Sequence, residues 1–131
     1  MSEKLQVLLL DDEPIVGKRL GPALVKIGCE VEVFQEPVSA MARLKQKDFD
    51  IVVTDIRMEE MDGMQVLEYV NETSPRTKVV MITGYAMIAL AREAMEKGAF
   101  DFIAKPFKPN DLRVIIERAA EALLAERGQE G

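Results

Sequence analysis

Five short apolar runs, each followed by a stretch with helical patterning, constrain this chain more than anything else in it. The runs are LQVLLL (Leu5–Leu10), EVEVF (Glu30–Phe34), FDIVVT (Phe49–Thr54), KVVMI (Lys78–Ile82) and FDFIA (Phe100–Ala104). The spacing predicts helices over Pro14 to about Ile27, about Pro37–Gln46, about Met64–Asn71, about Met87–Lys97 and about Asn110–Glu126. Pro14 falls in a first turn, and Gly28 and Gly98 fall just past helix ends, where each residue type is favoured. Strand–helix alternation with short links implies right-handed crossovers and a parallel sheet covered by helices on both faces. The greasiest runs then belong in the centre of that sheet, and EVEVF, with period two, has one polar face. The expected fold class is α/β, a doubly wound five-stranded parallel sheet with five helices; in the order 2-1-3-4-5, a common one for such sheets, the reversal lies between strands one and three.

The residues at the strand ends carry the chemistry. Strand one ends in Asp11-Asp12, strand three in Asp55, strand four in Thr83, and strand five in Lys105-Pro106. In a parallel sheet these ends share one edge, and ligands of open α/β sheets bind outside it where the strand order reverses. Asp11, Asp12 and Asp55 are therefore expected in one crevice. Three carboxylates that close repel one another, and a divalent cation with a preference for oxygen ligands, Mg²⁺, relieves this. Lys105 adds an ammonium and Thr83 a hydroxyl. A metal, an ammonium, a hydroxyl and a carboxylate together suit a phosphoryl group, with the carboxylate as nucleophile and an acyl phosphate as product. Each piece has a plainer role when taken alone. Asp12 or Glu13 before Pro14 could serve only as a helix cap, and Asp62-Gly63 reads as a turn and cap. Lys105-Pro106 could be an ordinary loop, and it is a candidate for a cis peptide bond, against a base rate of about 5%. The coincidence of complementary groups on four strand ends favours the functional reading.

Composition narrows the alternatives. The 131 residues fit a single domain, residues 1–131, with a core over about 5–124 and a tail, 127–131, expected to fray. A formal charge of −6 argues against a direct nucleic-acid surface. No apolar run reaches the roughly 20 residues needed to span a bilayer, and the expected location is cytoplasmic. The chain has no His and one Cys, Cys29, so His-dependent nucleophiles and the usual zinc sites are excluded.

VLLLDDEP, VVTDIRMEEMDG, VVMITGYA and GAFDFIAKPF, in this order, resemble the receiver domain of two-component response regulators, which has the flavodoxin-like fold of the chemotaxis receivers. The resemblance covers about Leu5 to Leu124. It implies Asp55 as phospho-acceptor, and direct Mg²⁺ ligation by Asp12, Asp55 and the backbone carbonyl of Arg57, with Asp11 acting mainly through water. It implies Thr83 as the switch hydroxyl, Lys105 as the partner of Asp55 and then of the phosphoryl group, and Phe102 as the switch aromatic. Turning of that ring would reshape the face made by helix 4, strand 5 and helix 5. The implied donor is a sensor histidine kinase or a phosphotransfer protein. The implied output is a protein partner or a C-terminal output domain, and dimerisation beside Phe102 is a further expectation. GAFDFIAKPF and VIIERAAEALL look somewhat like receivers of enhancer-binding transcription activators. Arg57 and Tyr85 flank the expected path of an attacking water and are expected to slow loss of the phosphoryl group.

Three features depart from the family pattern. Glu59 stands where Pro is common, which leaves the loop less restrained and adds negative charge. Phe102 replaces the commoner Tyr. Gly21-Pro22 interrupts the first helix, where Pro costs roughly 3 kcal/mol, so a kink or break is expected there. Gly84, by contrast, fits, since a small residue after Thr83 leaves the site open. The competing functions are a pseudo-receiver that binds partners without phosphorylation, a Mg²⁺-dependent aspartyl phosphotransferase or phosphatase, and a nucleotide-binding module. The first strand is followed by DDEP rather than a glycine-rich loop, which argues against the last. The chemistry is self-directed, so no enzyme with an outside substrate is expected.

Overall fold

The structure, a computed structural model, describes residues 4–58 and 61–130. Strands β1 (Leu5–Leu10), β2 (Cys29–Phe34), β3 (Ile51–Asp55), β4 (Lys78–Thr83) and β5 (Asp101–Ala104) alternate with helices α1 (Pro14–Lys26), α2 (Pro37–Gln46), α3 (Gly63–Thr73), α4 (Ile88–Glu96) and α5 (Pro109–Glu130). All pairings are parallel, and the strand order is β2-β1-β3-β4-β5, as expected.

Alternation along the buried strands divides the core into two layers. Leu8, Leu10, Val52 and Met81 face one side, against Val66, Leu67 and Val70 of α3 and Ala91 and Ala94 of α4. Val7, Leu9, Val53, Val80 and Ile82 face the other, against Leu20 and Leu24 of α1 and Leu112, Ile116 and Ala119 of α5. Every residue of β3 is buried, which is why its sequence shows no polar face.

Some boundaries differ from expectation, each for a local reason. Strand β3 ends in Asp55, as expected, since it pairs with β4 through Asp55 and Ile82, but it starts at Ile51 rather than Phe49. The fourth helix is preceded by a separate 3₁₀ turn, Tyr85–Met87. Of the kink or break expected at Gly21-Pro22, the break is absent, and α1 runs through it. Pro22 is exposed, and the bond it cannot donate would have gone to the carbonyl of Lys18, itself an exposed residue. Gly21 turns inward against Val33. The last helix passes Glu126 and continues to Glu130, taking in most of the tail expected to fray. Leu123 packs on the core there, and Glu126 is ion-paired to Lys78 of β4. Gly28 and Gly98 follow α1 and α4 with φ of 98° and 104°.

Candidate phosphoryl-acceptor site

Strand register assembles the crevice. Leu10 pairs with Thr54, so the next residues, Asp11 and Asp55, end adjacent strands side by side. Thr83 pairs with Ala104, and the Lys105 N–H donates to the Thr83 carbonyl at 2.6 Å, which ties the hydroxyl-bearing and amine-bearing strand ends together. The Lys105-Pro106 bond is cis.

The β3–α3 connection is closed at its neck. Gly63 N–H donates to the Ile56 carbonyl at 2.8 Å. A Cβ at position 63 would lie 2.6 Å from the Asp55 carbonyl oxygen and 2.9 Å from Ile56 Cα, so only glycine allows α3 to start this close to β3. Asp62 caps α3 in a reciprocal box with Gln65, the role expected of it.

The carboxylates are held differently. Asp11 is 2% exposed. Its Oδ1 accepts the Glu13 N–H at 2.9 Å, while its Oδ2 has no hydrogen-bond partner and sits 3.2 Å from Lys105 Nζ, in ion-pair range but not aligned as a hydrogen bond. Asp55 is buried too, with Oδ1 accepting from Arg57 N–H at 3.2 Å and Oδ2 from Lys105 Nζ at 3.4 Å. Asp12 is exposed. Burial pushes the Asp11 carboxyl up to about 6, the Asp55 charge adding to this and the Glu13 N–H and Lys105 opposing it. Burial likewise raises Asp55 above its usual range, against the Arg57 N–H and Lys105. Burial works against the charge of Lys105, but Glu13, Asp11 and Asp55 outweigh it and raise its pKa.

Ligand oxygens of Asp11, Asp12 and Asp55 lie within 4.8 Å of one another. An all-oxygen set with one buried, unbonded oxygen among them fits a hard divalent cation such as Mg²⁺. Thr83 is fully buried, and its hydroxyl donates to the Gly84 carbonyl at 3.0 Å. Phe102 is half-buried, packed toward the α3–α4 layer. Tyr85 is 75% exposed, and exposed Arg57 reaches across to Met87 Sδ at 3.5 Å. Glu59 lies outside the described residues.

Sequence reasoning missed Glu13. It occupies the N-cap position of α1, as the plainer reading had it, yet its side chain makes no capping bond. Its carboxylate instead holds Lys105 Nζ at 2.6 Å, closer than either aspartate does. The available signal was a third consecutive acid, one methylene longer than its neighbours, at the strand end facing the crevice's lysine.

The fold is an open parallel α/β sheet whose acidic crevice, at the strand ends, is opposed by Lys105. The chain belongs to the response regulator receiver domain family, whose model matches residues 7–117. It is 35% identical over 116 residues to the regulatory protein AtoC of Escherichia coli K12, covering 88% of this chain and 25% of that protein. Among solved structures, NtrX from Brucella abortus superimposes with a TM-score of 0.90 at 31% identity, over 98% of this chain and 29% of that one. The chemotaxis response regulator CheY4 of Vibrio cholerae does so with a TM-score of 0.82 at 26% identity, over 89% of this chain and 99% of that one. The chain spans about a quarter of the length of the first curated relatives it matches. No helix among the described residues is long and apolar enough to cross a membrane.

Proposed function

We propose that Asp55 is the phospho-acceptor of a switch domain comprising residues 1–131. What supports this best is the meeting of Asp55, Asp11 and Lys105 at one strand edge, with Nζ within 3.4 Å of both aspartates. An Asp55 carboxylate oxygen attacks the donor phosphorus and a new O–P bond forms. The donor's N–P bond, or the O–P bond of a small acyl phosphate, breaks, and its electron pair leaves with the donor. A sensor histidine kinase or phosphotransfer protein is the natural donor, since this chain has no His of its own.

Asp11, Asp12, Asp55 and the Arg57 carbonyl would hold Mg²⁺, which when bound neutralises charge on the phosphoryl oxygens. Lys105 supplies the ammonium on the other side. Thr83, whose hydroxyl donates to the adjacent Gly84 carbonyl, turns that hydroxyl onto a phosphoryl oxygen. Phe102 then moves further inward, and the face of α4, β5 and α5 changes for an output partner or a downstream output domain. Dimerisation through the face beside Phe102 belongs to the same reading. Arg57 and Tyr85 hinder the water that would release the phosphoryl group. The setting is cytoplasmic, where such kinases present their phosphohistidine.

Incubation with Mg²⁺ and acetyl phosphate, read by intact mass, is expected to add one phosphoryl group, lost in Asp55→Ala. Beryllofluoride binding should follow the same pattern. A wild-type protein that takes neither would sink the reading and favour a partner-binding module that phosphorylation does not switch.

A further inference from the structure

Lys105 is shared among three carboxylates, and unequally. Its Nζ lies 2.6 Å from Glu13, 3.2 Å from Asp11 and 3.4 Å from Asp55. The nearest partner is also the most exposed, the Glu13 side chain being 58% exposed against 11% for Asp55 and 1% for Asp11. The ammonium thus makes its best contact with the outermost acid, while the buried Asp11 Oδ2 has no aligned donor. At 3.4 Å the bond to Asp55 is longer than the usual N–H···O range of about 2.7–3.2 Å.

We propose that Glu13 is a positioning residue that draws Lys105 toward the mouth of the crevice and holds it off Asp55, so that phosphorylation requires Lys105 to exchange Glu13 for a phosphoryl oxygen. This rests on the reading of Asp55 as acceptor. The backbone is arranged for it. Glu13 is extended, with φ −88° and ψ 112°, ahead of Pro14, and its side chain makes no capping bond. An exposed ion pair has a small net strength, because water competes for both partners. The contact is therefore a latch that opens at modest cost, and it sets how readily Lys105 engages an incoming group.

Two variants separate the latch from simple charge at the mouth. Glu13→Gln keeps the shape and removes the charge. Glu13→Asp keeps the charge and falls one methylene short of Lys105. In metal-free protein the Lys105 Cε and Nζ resonances are expected to move in both. With Mg²⁺, both should bind beryllofluoride about two- to fivefold more tightly than wild type, the range expected for losing an exposed ion pair. An unmoved Lys105 signal in Glu13→Gln would overturn the latch. So would unchanged beryllofluoride affinity, or a gain confined to Glu13→Gln, which would mean only relief of repulsion. If no beryllofluoride binds to any of the three proteins, the Asp55 reading fails and the exchange step with it, while the Lys105 resonances still report on the Glu13 contact by itself.

Discussion

Replacing Asp11 with Asn in metal-free protein is expected to stabilise the fold at neutral pH. The Asp11 carboxyl is pushed from 3.8 up to about 6, chiefly by burial. A carboxyl whose folded pKa is raised binds its proton more tightly in the native state, so stability falls as pH rises from the unfolded value through the folded one. At about 1.4 kcal/mol for each tenfold change in acidity, ionising Asp11 costs the wild type about 3 kcal/mol by pH 7. Asn has no such cost, and Lys105 keeps its contacts with Glu13 and Asp55. Losing the Asp11 contact takes the net gain toward about 2 kcal/mol, or roughly 7 °C in melting temperature for a domain of this size. The assay is urea unfolding in chelator from pH 4.5 to 8 on both proteins, read as their difference. The difference matters because Glu32, lowered first by its hydrogen bond from Arg43, contributes stability that is lost as pH falls through its folded pKa. That contribution is common to both proteins and cancels. The gap should be small near pH 4.5 and full by pH 7. A mutant no more stable than wild type at pH 7, or a gap equally large at pH 4.5, would refute the burial argument.

Magnesium at a hundred times its dissociation constant is expected to raise wild-type stability by about 2.7 kcal/mol and to do much less for Asp11→Asn, as melting with and without metal would show. Gly63→Ala should cost about 1–3 kcal/mol in urea unfolding and slow phosphoryl incorporation, because the added Cβ meets the backbone of Asp55 and Ile56, which cannot swing aside. Asp62→Ala should cost about 1 kcal/mol through the lost α3 cap, with incorporation largely kept. Tyr85→Ala should shorten the lifetime of the phosphorylated form, followed by intact mass after removing the donor. An unchanged lifetime would leave exposed Tyr85 without a kinetic role.

Most of the fold was legible because its signals are local. Apolar runs of strand length, Gly28 and Gly98 at helix ends, and Asp62 before α3 each declare themselves within a few residues. The convergence of Asp11, Asp55, Thr83 and Lys105 at one edge was legible too, since parallel topology alone puts those ends together. Three things were not. The continuity of α1 through Pro22 depends on which side of the helix faces water, which the Pro penalty does not encode. The length of α5 depends on Leu123 and on a pairing between Glu126 and Lys78, 48 residues away. The Glu13–Lys105 contact joins residues 92 apart, and helix-cap rules assign Glu13 a different task.

The hydrogen bond from Gly63 to Ile56 turns the segment between them into a ring whose ends are fastened to each other. What happens inside a fastened ring need not be felt at its clasp. Changes within the loop that keep Arg57 and Asp62 in place therefore have a route to being tolerated that changes in β3 or at Gly63 do not. The position to watch across variants of this domain is thus the clasp, a residue with no side chain, more than the acids strung along the loop it closes.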